Sequence, residues 1–161
     1  LVRADGENAQ GGEGAIFMAI AKEDVLALMK RFHDVVMFEK GTAADQAAFF
    51  LHPEPRIFIL HGEDISLQTN YEIHQRLVDE KHEPFPDWEI TPLSSIPERV
   101  RAVGAVYWEG RVVGATDGSL IKCVVGEDWI VQRTPSGALK IALYINTNHH
   151  FLPGSARMDL K

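Results

Sequence analysis

The stretch from Arg99 to Glu109 reads RVRAVGAVYWE, and its pattern decides the fold. Val100, Ala102, Gly104, Val106 and Trp108 alternate with Arg101, Val103, Ala105, Tyr107 and Glu109, the period of two that belongs to a β-strand. Both sets carry apolar residues. One face is therefore expected to be covered by helices and the other by a second copy of the chain.

Working outward, strands are expected at 88–91, 120–133 and 139–147, where β-branched and aromatic residues dominate. The separators at 95–98, 114–118 and 134–137 are short and rich in Pro, Gly or Ser. Connections of that length join antiparallel neighbours. Toward the N-terminus, Arg56 to His61 (RIFILH) reads as a further strand, with Ile57, Ile59 and His61 on one face.

Before it, Val25, Leu28, Met29, Phe32, Val35 and Val36 recur at three and four, which marks one face of a helix over 22–40. Glu23 and Asp24 suit its N-terminus, and Gly41 is expected to take the left-handed position that ends it. Thr42 and Asp45 have capping-box spacing for a short second helix that stops before Pro53. A third helix is expected from Thr69, with Glu72 completing a box, to about Lys81; its face holds Tyr71, His74, Leu77 and Val78. The fold class is α+β, with three N-terminal helices segregated from a curved, mostly antiparallel sheet.

A chain of 161 residues is long enough for one domain with a sizeable core. The boundaries expected are a flexible tail over 1–17, the domain over 18–150 with Met18 as a candidate start, and a C-terminal tail over 151–161. The net charge of −7 and the absence of any Lys/Arg cluster argue against a nucleic-acid partner. No apolar run approaches the ~20 residues of a membrane span. Cys123 is the only cysteine, which rules out an intrachain disulfide and suits a reducing, cytoplasmic setting. Beside Val124 and Val125 it is expected to be a buried, inert thiol.

The element order resembles the nuclear transport factor 2-like superfamily, which includes ketosteroid isomerases and SnoaL-like polyketide cyclases. The resemblance rests on Lys30-Arg31-Phe32 in the first helix, AFFLHP (48–53) leading into the strand at Arg56, and WEIT (88–91) opening the sheet. It continues in YWEGR (107–111) at a hairpin and GALKIA (137–142) in the last strand. It implies a cone-shaped fold whose helices close a hydrophobic pocket. Carried over by motif, the isomerase base falls at Leu60 or His61, its tyrosine on Phe32 and its protonated acid near Asp128. Phe32 has no hydroxyl, so that set is incomplete here.

From the residues themselves, the catalytic candidates are His61, His74 and Asp128. Imidazoles move protons near neutral pH, and an acid within an apolar strand has its charged form disfavoured. The alternative for Asp128 is a bulge at 126–128 with Glu127 and Asp128 both in water. Phe32, Tyr71, Trp88, Trp108, Trp129, Tyr144 and Asn146 are candidate ligand contacts, the aromatics by stacking and Asn146 by hydrogen bonding. The histidines show no HxH or HExxH spacing, and His149-His150 falls beyond the last expected strand, so neither a metal nor another cofactor is expected. Two functions fit: acid/base chemistry on a small hydrophobic molecule (isomerase, cyclase, dehydratase or hydrolase), or a non-catalytic dimer that binds such a molecule or associates.

Overall fold

The computed structural model describes residues 19–59, 63–93, 95–96, 98–115 and 119–158, apart from the side chains of 58 and 59. The candidate base His61 lies outside these residues, as does the whole of the expected N-terminal tail. The helices are α1 (Lys22–His33), α2 (Ala43–Ala47) and α3 (Leu67–Gln75). The strands are β1 (Arg56–Ile59), β2 (Asp64–Ser66), β3 (Leu77–Pro84), β4 (Glu89–Pro92), β5 (Arg99–Val112), β6 (Ile121–Arg133) and β7 (Leu139–Phe151).

The sheet runs β2-β1-β7-β6-β5-β3, with β4 also paired to β5. Among these strands β1 and β7 pair in parallel and the other pairs are antiparallel. It is an unclosed, curved sheet with helices over one face, the α+β architecture expected. On that face Val100, Ala102 and Val106 of β5, Trp129 and Val131 of β6, and Ile141 and Tyr144 of β7 are buried against Val25, Met29, Phe32 and Val36. The spacing of these helical residues is the one read from the sequence.

Three expectations are corrected. Helix α1 gives way at Asp34 to a π turn over Asp34–Phe38, and the left-handed residue is Lys40 (φ 54°), not Gly41. Glycine serves there for room, because a Cβ would lie 2.5 Å from Val35 Cγ1. Second, α3 is capped by Ser66, whose oxygen accepts from Thr69 N, and it ends at Gln75; Leu77 to Lys81 belong to strand β3. Leu77 and Val78 satisfy helical spacing from His74, but the long hydrogen-bonding edge of β5 takes them as a strand instead. Third, β7 continues to Phe151, so His149 and His150 pair with Val125 and Val124 inside the sheet. Beyond it the chain turns back along β6, where Ala156 N donates to Leu120 O and Met158 packs on the Leu77–Trp108 cluster. The Thr42–Asp45 capping box is present as read.

Candidate functional site

The helices and the inner sheet face enclose a cavity of about 220 Å³. Its wall is largely apolar, with Phe32, Val36, Ile57, Ile73, Val106 and Val125 contributing. It is smaller than the ~300–1,000 Å³ of sites that hold drug-sized molecules, so it suits a compact ligand. Polar groups enter it from two clusters.

The first cluster is built on Asp79. Leu77 and Asp79 point inward by strand alternation, and Asp79 Oδ1 accepts from Trp108 Nε1 at 2.7 Å. Its Oδ2 receives Lys40 Nζ at 2.6 Å and faces His74 Nδ1 at 3.1 Å. The left-handed turn at Lys40 sends that ammonium under the end of α3, where it also donates to His74 O and Leu77 O. Burial alone would raise the Asp79 pKa, but His74 and Lys40 outweigh it and hold the group below the usual carboxylate range. An ionised Asp79 only accepts, so His74 Nδ1 is the donor. That leaves Nε2 as the basic nitrogen of a ring that lines the cavity.

The second cluster joins His33, His82 and Glu127. Met29, Phe32, His33 and Val36 share the buried face of the first helix, which places His33 at its last turn. Strand β3 has a bulge at Glu80, between the pairs Asp79–Gly110 and Lys81–Glu109, and this turns His82 rather than Lys81 inward, opposite Trp108. In β6, Cys123, Glu127, Trp129 and Val131 are buried on one face. Glu127 Oε2 accepts from Trp129 Nε1 at 2.9 Å, and Oε1 accepts from the Tyr144 hydroxyl at 2.8 Å. Burial, with the Glu127 charge beside it, raises the Tyr144 pKa and keeps the phenol a donor. His33 Nε2 lies 3.2 Å from Glu127 Oε1, off the line of a hydrogen bond, and its ring stacks on His82 with centroids 4.0 Å apart. Burial above all, with nearby groups that can carry positive charge adding to it, pushes the His82 imidazole down to about 2, so it is neutral at pH 7.

The structure brings His74, Phe32, Trp108, Tyr144 and Asn146 to the cavity wall. Strand β7 carries an extra residue at Ala142 and another at Thr147, opposite shifts in the β6 pairing. Ile141, Tyr144, Asn146 and His149 therefore share the inner side despite their uneven spacing. Trp88, Trp129 and Tyr71 do not line the cavity: Trp88 is wedged over Gly104, and Trp129 is core that supports Glu127. Asp128 is corrected, since it lies on the outer face in a two-pronged pair with Arg101, 2.9 and 2.6 Å. The inward acid is its neighbour Glu127. His33, His82 and Asp79 are not among the site residues expected from the sequence, and of the adjacent acids Glu127 and Asp128 the sequence reading favours the wrong one. Helical spacing from Met29 could have found His33, and alternation from Cys123 could have found Glu127. Cys123 is buried, its thiol pushed up to about 11.

No family model and no curated protein matches the chain. Solved structures do. A nuclear transport factor 2-like protein from Cytophaga hutchinsonii superposes with a TM-score of 0.59 at 14% identity, over 80% of this chain and 98% of that one. A LinA-type hexachlorocyclohexane dehydrochlorinase from Novosphingobium barchaimii gives 0.57 at 10% identity, covering 86% and 94%. A Streptomyces avermitilis protein provisionally called a dehydratase gives 0.54 at 15%, covering 76% and 92%. The chain has the nuclear transport factor 2-like fold. At these identities the likeness extends to fold and not to chemistry.

Proposed function

We propose that the cavity is an active site for acid/base chemistry on a small, hydrophobic molecule, of the isomerase, cyclase, dehydratase or hydrolase kind. The observation that carries this reading is the 3.1 Å contact of His74 Nδ1 with an ionised Asp79. A base oriented by a buried carboxylate keeps one tautomer, and its free nitrogen can take a proton from a carbon or oxygen acid held against the apolar wall. Asp79 also stabilises the imidazolium that forms. Asn146, whose Oδ1 is buried without a partner, supplies a directional contact for a ligand donor. Superposition on a dehydrochlorinase and on a provisional dehydratase supports the class, because both names describe eliminations.

One observation favours the binding-only reading. Asp79 also holds Lys40 and Trp108, as a purely structural anchor would. The two readings separate by experiment. A panel of small ketones, enones and hydroxylated or chlorinated rings is followed by NMR in D2O for proton exchange or elimination. Turnover of a panel member is expected to fall about 10²- to 10⁴-fold in His74→Ala while ligand affinity changes little. Binding of panel members without any turnover, or full turnover by the variant, overturns the catalytic reading. His61→Ala, run on the same substrate, tests the sequence-based candidate that lies outside the described residues.

A further inference from the structure

We propose that His33, His82 and Glu127 bind one divalent transition-metal ion at the wall of the cavity. Their ligand atoms, from the first helix, β3 and β6, all lie within 4.8 Å of one another. Two imidazoles and a carboxylate are the donor set that zinc and ferrous iron accept, and three protein ligands leave further positions open for a ligand or water. Bonds of about 2.1 Å to one metal need ligand atoms about 3.4 Å apart; His33 Nε2 and Glu127 Oε1 already lie 3.2 Å apart, and no separation in the group exceeds 4.8 Å, a difference within reach of χ rotations.

The second observation is that the imidazole nitrogens lack hydrogen bonds. Both ring nitrogens of His33, only 2% exposed, and Nε2 of His82 are buried without a hydrogen-bond partner. Native structures seldom leave such groups unmatched, and each unmatched group is destabilising. A cation would satisfy one nitrogen of each ring at once. The carboxylate is already aimed: Trp129 and Tyr144 fix its two oxygens, the kind of outer support that ligating carboxylates have. Asn146 stands directly across the β6–β7 pair from Glu127 and offers a bare Oδ1 for a metal-bound water. No local motif marks this site, because each ligand comes from a different element and His82 turns inward only after the bulge at Glu80.

The site does not rest on His74 acting as a base, and its test needs no substrate. The full chain is stripped with chelator and titrated with Zn²⁺ by calorimetry, and with Co²⁺ as a spectroscopic probe. One equivalent is expected, with a visible Co²⁺ band of low-symmetry N/O coordination and a rise in Tm. Affinity is expected to fall more than about 100-fold in both His82→Gln and Glu127→Gln. The His52→Ala/His150→Ala variant, which alters two histidines outside the cavity wall, is expected to keep the full equivalent. Failure of the folded wild-type chain to bind either ion overturns the proposal. So does retention of the same affinity in both cluster variants, which would assign the metal to surface histidines.

Discussion

Asp79 is asked to accept three donors with two oxygens, and its value lies in remaining charged. Asparagine has the same shape but one acceptor, so Asp79→Asn would turn an NH₂ toward Lys40 and His74 or toward Trp108. A loss of about 1–3 kcal/mol at pH 7 is expected from the unmatched groups. It stays below the ~3–5 kcal/mol of a broken, fully buried pair, because Lys40 is partly exposed and can turn to water. The folded pKa of Asp79 is depressed, so its contribution is complete above the unfolded value of about 3.9 and is lost as pH falls through the lower folded value. Urea unfolding of wild type and variant between pH 7 and acid is the check. The difference should be largest at neutral pH and shrink below about pH 4. A difference that stays constant across that window would mean that Asp79 is not the charged anchor described. At this scale the sequence was partly legible. His74 could be read from its helical face, whereas Asp79 sits one strand later in what looked like the same helix.

Strand irregularities decide which side chains reach the cavity. Parity along β3 would send Lys81 inward after Leu77 and Asp79, and the bulge at Glu80 substitutes His82. Parity along β7 would separate Ile141 from Tyr144, and the extra residue at Ala142 brings them to one face. Alternation in a sequence therefore gives strands reliably where no residue is added, as in β5 and β6, but misassigns faces across a bulge. The confusion of Asp128 with Glu127 has another source. Alternation in β6 is regular, and reading from Trp129 and Val131 places Glu127 inside. Element-scale packing offers its own test at Gly104, where a Cβ would lie 2.3 Å from Trp88 Cδ2. Trp88 is 2% exposed and tied by its Nε1 to Ala105 O at 3.2 Å, so it cannot swing away cheaply. Gly104→Ala is expected to lower stability by about 1–3 kcal/mol in denaturant titration. Paired with Trp88→Leu, which removes the ring it strikes, the glycine change should cost distinctly less than it does alone. Equal costs in the two backgrounds would mean that the indole is not what excludes the methyl group.

At the scale of the whole molecule, helices and cavity account for the inner face of the sheet, and among the described residues no element covers the outer face. Val103 and Tyr107 of β5, Val124 and Ile130 of β6, and Leu143 and Ile145 of β7 are only partly buried there. They lie among the charged pair Arg101–Asp128 and the Tyr107–Glu109 hydrogen bond, whose carboxylate pushes the tyrosine up to about 12. A run of partly exposed apolar residues of this extent, interleaved with a paired charge, is suited to an association surface. No helix among the described residues is long and apolar enough to cross a membrane, so a bilayer-spanning helix does not explain this face. We propose that two copies pair across it about a two-fold axis, each presenting the same strands. Light scattering on the full chain should then give roughly 36 kDa, twice the 18.0 kDa of one chain. Ile130→Lys should shift that mass to one chain, because a strongly hydrated ammonium would be buried at the centre of the pair. His74 and Glu127 lie on the other side of the sheet, so the variant should keep its fold by circular dichroism. A mass of one chain for the wild type at micromolar concentration would refute the pairing. An unshifted dimer in Ile130→Lys would place the contact elsewhere on the molecule.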